Sequence, residues 1–346
     1  MVAAKSTISL CLVIVGALVL PAGLRVINRF APAAGVAPSY LPSIEQPRVR
    51  EPFDEATAAQ LRESRPDFVV IGDSMAGTRI VPGHISRMVG GRGVAALLYP
   101  GSSVAYWYLT FKNLVANNPP VRAKAAIFFF RDDQLTLAFQ RVTPGSLDRV
   151  ARDQEPVLDR VLAANALGTF AGVHRAVQSA YHGERTREWL APLLAQAPAR
   201  IVAPGEDPKT FLESMNTTQF SLETLRKTTV ADLPESTEES LDFPGVVGHS
   251  LLPEIIRLSE TSGVRVAFIR VQRRPTADGP PPQSAALVKY VHDLREYLAE
   301  HGAYFQDEWG DPDLPLSIYG DGDHVTNDAR IPYTEHFFQK NRRLFQ

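Results

Sequence analysis

From residue 64 onward, short apolar runs alternate with stretches in which apolar residues recur every three or four positions. The apolar runs predict strands, at 68–71, 94–99, 125–130, 264–271 and 303–307. The helical stretches lie between and after them, at about 83–90, 104–116, 250–261, 282–301 and 327–345. Such alternation is typical of parallel strands joined by crossover helices. The pattern therefore predicts a three-layer, flavodoxin-like α/β fold whose functional residues collect at the carboxyl ends of the strands.

Between Arg141 and Gly248 this alternation breaks down. Three helical patterns occupy part of the interval, at 159–171, 172–182 and 186–196. The remainder is polar and weakly periodic, above all at 204–244. An interval of this size cannot be a bare loop in a compact domain, because loops beyond ~15 residues are uncommon there. We therefore expect a largely helical insertion at about 141–248, which serves either as a cap over the site or as a surface for a partner.

An apolar segment stands near the amino terminus. From Ile8 to Leu24 the chain carries no charged residue, and Arg25 and Arg29 come after it. This length barely suffices for a bilayer core, which needs ~20 helical residues. A cleaved signal peptide would need small residues at the end of the run, and the one such site, Ala31–Ala33, lies beyond both arginines. We therefore favour an uncleaved membrane anchor over a signal peptide.

The expected domain organisation has three parts: a transmembrane anchor at 1–30, a Pro-rich tether at 31–60, and an α/β domain at 61–346 that contains the insertion. The positive-inside rule weighs Lys5 against the arginines after the apolar segment, so charge alone leaves the orientation open. We expect an exported domain, on the periplasmic or extracellular face. Because Cys11 is the only cysteine, the cysteine count neither supports nor excludes an oxidising compartment.

Composition narrows the range of partners. The 346-residue chain has a net charge of −2 and is 45% hydrophobic, which allows a large core. It lacks the excess of lysine and arginine typical of nucleic-acid-binding proteins, so we expect no nucleic-acid partner. Seven of the histidines stand at no metal-ligand spacing: His84, His174, His182, His249, His292, His301 and His336. We therefore expect neither a metal nor a cofactor.

Candidate nucleophile chemistry lies at the two ends of the α/β region. The first strand runs into Gly72-Asp73-Ser74, so Ser74 would stand at the carboxyl tip of that strand. Near the other end, a short loop contains Asp321 and His324. A serine hydroxyl is a poor nucleophile at neutral pH unless an imidazole takes its proton and a carboxylate holds that imidazole in the right tautomer. The three residue types that serine-dependent acyl transfer needs are therefore present.

These two blocks resemble the SGNH (GDSL-like) hydrolase superfamily, in which a Gly-Asp-Ser block near the start of the domain meets an Asp-x-x-His block near its end. The resemblance would cover about 64–346, apart from the insertion. It implies that Ser74 is the nucleophile, His324 the general base and Asp321 the residue that orients the imidazole. The two blocks together are much more specific than either alone, since a tripeptide such as Gly-Asp-Ser often occurs by chance.

The resemblance also implies an oxyanion hole. Its donors would include Ser74 and the backbone N–H of a glycine after the second strand, here Gly101. The family's third donor is an asparagine after the next strand, but this chain has Arg131-Asp132-Asp133-Gln134 at that point. Arg131 is our first choice as the substitute donor and Gln134 our second. The alternative is that Arg131 forms an ion pair with one of the two aspartates that follow it.

Two further groups are candidates for contact with a substrate. Tyr106 and Trp107 belong to an aromatic stripe after Gly101, and such a stripe more often packs into a core than binds a sugar. Arg273 and Arg274 follow the fourth strand at the same sheet edge as Ser74. They could hold an anionic substrate, although a solvated pair of charges is at least as common.

The function implied by the resemblance is acyl transfer through a serine ester. An exported, membrane-anchored member resembles the proteins that add or remove acetyl groups on envelope or secreted polysaccharides. We therefore expect an O-acetyltransferase or acetylesterase that acts on an acylated polysaccharide, with a membrane-embedded acyltransferase as a possible partner. A lipase or thioesterase that cleaves small esters is the first alternative. The second, from a different class, is a non-catalytic, membrane-anchored subunit of an acylation or secretion complex.

Overall fold

The computed structural model describes residues 52–119, 121–137, 147–152, 155–158, 160–161, 236–320 and 322–346. Within these ranges the core of the protein is a five-stranded parallel sheet. The strands are β1 (Phe68–Gly72), β2 (Val94–Leu98), β3 (Ala125–Phe130), β4 (Arg265–Arg270) and β5 (Tyr304–Asp307). Each strand falls within a predicted apolar run or exceeds it by one residue, so the predicted strands are confirmed.

The strands follow the order β2-β1-β3-β4-β5 across the sheet. Phe68 at the start of β1 lies opposite Val94 of β2 on one side and Ala125 of β3 on the other. The chain moves from β1 outward to β2 and then returns past β1 to β3, so the strand order reverses at β1. Ligands of open α/β sheets bind at such a reversal, outside the carboxyl ends of the strands. Ser74 follows β1 and therefore stands at this position.

Helices lie before, between and after the strands. The α-helices are α1 (Glu55–Ser64), α2 (Ser74–Arg79), α3 (Pro82–Met88), α4 (Val104–Thr110), α5 (Phe243–Val247), α6 (Leu252–Ser262), α7 (Ala285–Glu300) and α8 (Arg330–Lys340). A π-helical turn, Phe111–Ala116, continues α4. The carboxyl-terminal pattern, predicted as one helix, is divided into a 3₁₀ turn at Asn327–Ala329, then α8, then a 3₁₀ turn at Arg342–Phe345.

The sheet is covered by helices on both faces. Phe68 and Val70 of β1 belong to a core cluster that also contains apolar side chains of α2, α3 and α8. Alternate residues of a strand point to the opposite face. On that face, Phe128 of β3 packs edge-on against Phe111 of the π-helical turn, with ring centroids 5.7 Å apart. The protein therefore has the predicted three-layer α/β architecture.

Two helices were missed by the sequence pattern. α1 begins inside the region assigned to the tether, where Asp54 caps it by accepting a hydrogen bond from the Thr57 N–H at 3.0 Å. Its Ala58 and Leu61 are buried, so this part of the chain belongs to the domain. α2 has only six residues, too few for a helical period to show in the sequence.

Several predictions lie on residues outside the described ranges. They concern the apolar segment Ile8–Leu24, the proline-rich residues up to 51, and most of the insertion. Of the insertion, the structure describes its two ends, including a 3₁₀ turn at Leu147–Arg149 and α5. Within the described part of the chain, no helix combines the length and the apolar composition required to cross a bilayer.

Candidate active site

Ser74 is the first residue of α2, directly after the carboxyl end of β1. Asp73 caps this helix, and its Oδ1 accepts a hydrogen bond from the Met75 N–H at 2.8 Å. A Cβ added at Gly72 would lie 2.9 Å from the Ala76 Cβ and 3.4 Å from the Phe129 Cβ. Only glycine therefore lets β1 turn into α2 this tightly. Gly72 and Asp73 therefore each have a structural reason.

His324 reaches this serine from the other end of the domain. Its Nε2 lies 2.9 Å from the Ser74 Oγ, across 250 residues of sequence. The histidine stands on a loop whose ends are joined by an antiparallel bridge between Tyr319 and Val325. Within the loop, the Gly320 N–H donates to the His324 carbonyl at 2.8 Å. The predicted nucleophile and the predicted base are thus within hydrogen-bond distance.

The histidine loop contains two aspartates, Asp321 and Asp323, and the structure describes the second of them. Asp321 lies outside the described residues, so its assignment as the residue that orients the imidazole stays a prediction. Asp323 is buried, and both of its carboxylate oxygens are bonded to other residues. Oδ2 accepts a hydrogen bond from Arg131 Nη1 at 2.6 Å, and Oδ1 accepts one from the Arg274 N–H at 2.9 Å. Burial opposes ionisation of Asp323, but these two donors hold its pKa below the ordinary value.

Arg131 follows β3 and is buried beside the histidine loop. We expected either an oxyanion donor or an ion pair with one of the next two aspartates. The ion pair exists, but its partner is Asp323. Asp132 instead accepts from Arg270 at 3.1 Å and Asp133 from the Ser240 hydroxyl at 2.6 Å. The expected partner was wrong because both aspartates turn toward other elements.

Gln134 also differs from its expected role. Its Oε1 accepts a hydrogen bond from the Arg131 N–H at 2.7 Å, while the Gln134 N–H donates to the Arg131 carbonyl at 2.9 Å. The side chain and the backbone of Gln134 therefore both close the turn after β3. A donor role in an oxyanion hole remains a prediction for this residue.

Asp73 is a second buried carboxyl of this region and directly precedes Ser74. Its burial raises its pKa, whereas the charges of Arg131, Arg79 and His324 and the bond from Met75 act in the opposite direction. Burial prevails because water is excluded from the carboxyl on all but a small part of its surface. Ser74 thus directly follows a buried carboxyl, on which the buried guanidinium groups of Arg131 and Arg79 act.

Arg79 is a buried residue of this region that the sequence analysis missed. It closes α2, and its guanidinium donates to the carbonyls of Met75 at 3.2 Å and Gln272 at 3.1 Å. The same group lies over the ring of Tyr319, 5.8 Å from the centroid. Burial raises the pKa of nearby Glu308, and the charge of Arg79 opposes this rise. An arginine six residues into a short helix carries no sequence signal of such burial.

The loop after β2 contains the predicted backbone donor. Gly101 has φ = 70°, a left-handed conformation that favours glycine. The loop is held against β1, because the Tyr99 N–H donates to the Gly72 carbonyl at 3.1 Å and the Ser102 hydroxyl to the same oxygen at 3.3 Å. The loop that carries Gly101 is thereby fastened to the turn that carries Ser74. The role of Gly101 in an oxyanion hole stays a prediction.

The two aromatic candidates differ in exposure. Trp107 is fully buried, and its Nε1 donates to the Ser102 hydroxyl at 2.9 Å. The prediction that Trp107 contacts a substrate is therefore wrong, because the indole faces the core. Tyr106 is partly exposed and lies against Tyr99, with ring centroids 5.0 Å apart. These two tyrosines line a groove of about 630 Å³ along β2, and Tyr106 remains a candidate for substrate contact.

The two arginines after β4 have different partners. Arg273 is held by Asp132, whose Oδ2 accepts from Arg273 Nε at 2.7 Å. Arg274 extends along the histidine loop, and its Nη1 donates to the Gly320 carbonyl at 3.2 Å. Both arginines therefore support the protein itself, and binding of an anionic substrate by either remains a prediction.

One group of potential metal ligands occurs among the described residues. Asp311, Asp313 and His336 bring their ligand atoms within 4.8 Å of one another. Lys340 bonds to one of these ligand atoms, since its Nζ donates to the Asp311 Oδ2 at 2.7 Å. Together with the 2.8 Å bond from His336 Nε2 to the same oxygen, this is the pattern of an ion-pair network.

Comparisons with known proteins find solved structures of low similarity. No protein-family model and no curated protein matches the sequence. A "putative acylhydrolase" of Bacteroides fragilis is 11% identical, with a TM-score of 0.37 and coverage of 83% of this chain and 96% of the other. A GDSL-like lipase of Bacteroides thetaiotaomicron is 10% identical, with a TM-score of 0.35 and coverage of 83% and 95%. TM-scores this low support no inference about function.

Proposed function

We propose that this chain is a serine-dependent acyl-transfer enzyme of the SGNH type, with Ser74 as nucleophile and His324 as general base. The observation that carries the proposal is the 2.9 Å contact between Ser74 Oγ and His324 Nε2. This contact lies at the carboxyl edge of a parallel sheet, beside the reversal in strand order. A serine and a histidine 250 residues apart have no local reason to meet there.

The reaction would proceed through an acyl-serine. Ser74 Oγ attacks the carbonyl carbon of an ester, and His324 Nε2 takes the hydroxyl proton. The tetrahedral intermediate collapses when the C–O bond to the leaving alcohol breaks, and the imidazolium gives its proton to that alcohol. Water or an acceptor hydroxyl then attacks the acyl-serine and gives its proton to the same nitrogen; the bond to Ser74 Oγ breaks, and the imidazolium returns the proton to Oγ. Hydrolysis and transfer therefore need the same two residues.

Charge on the carbonyl oxygen would be stabilised by backbone donors. The Ser74 N–H stands at the amino end of α2, and the Gly101 loop is fastened to the β1 carbonyl next to it. We assign these two N–H groups to the oxyanion hole. We assign Asp321 to orienting the imidazole, on the spacing that the sequence supplies.

The proposed substrate is an acetylated envelope or secreted polysaccharide, modified by an O-acetyltransferase or acetylesterase. Two sequence features support this choice: the apolar segment Ile8–Leu24, which would anchor an exported domain, and the resemblance of the Ser74 and His324 blocks to the SGNH superfamily. Hydrolysis of small soluble esters is the alternative with the same residues. A membrane-embedded acyltransferase would supply the acyl group if transfer rather than hydrolysis is the reaction.

The test uses a fluorophosphonate, which reacts covalently with an activated serine. We expect the full-length chain to be labelled and to hydrolyse a small acetyl ester, and Ser74→Ala to lose both activities. The matched control is Ser64→Ala, since Ser64 is an exposed serine at the end of α1. Thermal unfolding of Ser74→Ala should stay close to that of the parent, because one partly exposed hydroxyl contributes little to the core.

Labelling of Ser74→Ala at the parental rate would overturn the nucleophile. Absence of labelling and turnover in a folded parent, together with co-purification of a membrane protein, would favour the non-catalytic assembly subunit. Activity on small esters without any release or transfer of acetyl on a polysaccharide would favour the lipase or thioesterase.

A further inference from the structure

We propose that the buried ion pair between Arg131 and Asp323 fixes the backbone beside His324 and in this way helps to position its imidazole against Ser74. This inference rests on the proposed function, since it assigns a role toward the same nucleophile and base. Arg131 and Asp323 are positioning residues, because their hydrogen bonds are made with each other, Arg274 and Gln134 and not with Ser74 Oγ. The pair joins the end of the central strand β3 to the residue next to the general base.

The first step concerns Asp323, whose two carboxylate oxygens are both occupied. Arg131 Nη1 lies 2.6 Å from Oδ2, and the Arg274 N–H lies 2.9 Å from Oδ1. Both contacts are long-range, spanning 192 and 49 residues. Asp323 is therefore tied at once to the ends of β3 and β4, two neighbouring strands. A side chain fixed at both oxygens also fixes the backbone of the adjacent His324.

The second step concerns the anchor of Arg131 itself. Both backbone groups of Arg131 are bonded to Gln134, and these bonds close the turn after β3. The Arg131 N–H donates to the Gln134 side chain at 2.7 Å, and the Arg131 carbonyl accepts from the Gln134 N–H at 2.9 Å. Its next residue, Asp132, has φ = 42°, which is uncommon for a non-glycine residue. Asp132 is kept there by Arg270, at 3.1 Å. The guanidinium of Arg131 thus projects from a rigid turn.

The third step concerns how the rest of the loop is held. Tyr319 and Val325 are buried and bridge its two ends, and the Arg274 side chain reaches the Gly320 carbonyl at 3.2 Å. The bridge defines where the loop starts and ends. The Arg274 contact is exposed to solvent and therefore contributes little. Asp323 supplies the buried attachment next to His324, where a small shift moves the imidazole directly.

The charges that face the pair come from three elements. Arg273 on the segment after β4 carries the same charge as Arg131, and Asp73 on the turn after β1 carries a charge of opposite sign when ionised. Arg79 of α2 adds another positive charge near Asp323. Removal of the Asp323 carboxylate would therefore leave the buried guanidinium groups of Arg131 and Arg79 with less compensating negative charge. Removal of Arg131 would leave a buried anion, a strongly unfavourable state.

The test is a double-mutant cycle with Arg131→Met, Asp323→Asn and the double variant in the full-length chain. The readouts are kcat and KM for a small acetyl ester and the labelling rate of Ser74 by a fluorophosphonate, each per folded molecule. Misplacement of a catalytic group by about 1 Å can cost ~10²-fold in rate, so each single variant should lose about 30- to 100-fold in kcat with KM little changed. The double variant should be no slower than the worse single variant, because the two residues act through one contact.

Two conservative variants keep the proposal falsifiable should the first set fold poorly. Arg131→Lys and Asp323→Glu keep both charges but alter the geometry, so we expect intermediate losses of about tenfold in kcat. Parental rates in folded conservative variants, or independent and additive losses in the cycle, would overturn the positioning role. A loss of thermal stability with an unchanged labelling rate per folded molecule would overturn it as well.

The matched control is another buried ion pair, Lys112 with Glu155, whose partners lie on the π-helical turn and after the Leu147–Arg149 turn. Lys112→Met should reduce stability and leave the labelling rate per folded molecule unchanged. An equal loss of labelling there would show that any buried pair affects the rate, which contradicts a specific role for Arg131. A parent chain that reacts with no fluorophosphonate would instead be the failure of the proposed function, a result distinct from all of these.

Discussion

The two halves of the site are held in different ways. The helix that begins at Ser74 is capped from within its own segment, since Asp73 accepts a hydrogen bond from the N–H two positions further on. His324 is fixed by contacts that span the domain, since the residue beside it is held by Arg131, 192 positions away, and by Arg274, 49 positions away. The serine turn can form as soon as β1 and α2 form. The histidine loop reaches its position only when β3 and β4 are in register.

This difference predicts which substitutions break the site. Near Ser74, substitutions that fill backbone space or remove the helix cap should have the largest effects, because the cap comes from the same segment. Near His324, substitutions that remove a buried charge should have the largest effects, because residues after distant strands hold the loop. The following predictions test the contrast, beginning with the largest effect.

The base itself gives the largest expected effect. His324→Gln should lower turnover of a small ester by about 10³-fold, since glutamine cannot take the serine proton. Steady-state kinetics on the full-length chain measures this loss. The control is His292→Gln on α7, where the histidine is exposed and pairs with Glu296. Equal loss in the control, or none in His324→Gln, would remove His324 from the mechanism.

Asp323→Asn should lower the free energy of unfolding by about 3 kcal/mol at neutral pH, because it leaves a buried guanidinium without a charged partner. The folded-state pKa of Asp323 is held below the ordinary value of 3.8, after burial has opposed this shift. The carboxylate therefore stabilises the fold fully above pH 3.8, and this contribution is lost as pH falls through the lower folded pKa.

Urea unfolding of Asp323→Asn and its parent between pH 7 and pH 3 measures this difference. It should be constant in the upper part of this range and shrink below about pH 4, the ordinary carboxyl range. The control is Asp313→Asn, whose side chain is 67% exposed and should change little. A difference that already shrinks between pH 7 and pH 5 would contradict the depressed pKa.

Gly72→Ala tests the backbone space beside Ser74. The new Cβ would meet the Ala76 Cβ at 2.9 Å, so β1 and α2 must move apart, at a cost of about 1–3 kcal/mol. Chemical denaturation measures the loss. Gly83→Ala in α3 is the matched control, because a Cβ there meets nothing within 4 Å and a helix favours alanine. The prediction fails if the two variants are equally stable.

Asp73→Asn should have the smallest effect on stability. Asparagine also caps helices and can accept the bond from the Met75 N–H. Burial raises the pKa of Asp73, so the folded state disfavours its charge, and the parent loses stability as pH rises from 3.8 through the folded pKa. Asp73→Asn should therefore be within about 1 kcal/mol of the parent at pH 7 or more stable, whereas Asp73→Ala loses the cap. A large loss in the asparagine variant would mean that the charge itself is required.

Most of the sheet was predictable from the sequence because its strands are short apolar runs. Every residue of β1 and β3 is buried, and such strands leave a continuous apolar signal. α2 was missed because six residues are fewer than two helical turns. α1 was missed because polar and charged residues surround its two buried positions, Ala58 and Leu61.

The amino-acid sequence alone was enough to predict the serine turn and the candidate base. Gly72, Asp73 and Ser74 are close neighbours in the chain, and steric space, capping and strand periodicity act over such short distances. Tertiary packing, in contrast, establishes that Arg131 pairs with Asp323, that Trp107 faces the core, and that Arg79 is buried. The partner of a charged side chain depends on which strands become neighbours, and this is determined by the packing of the whole sheet.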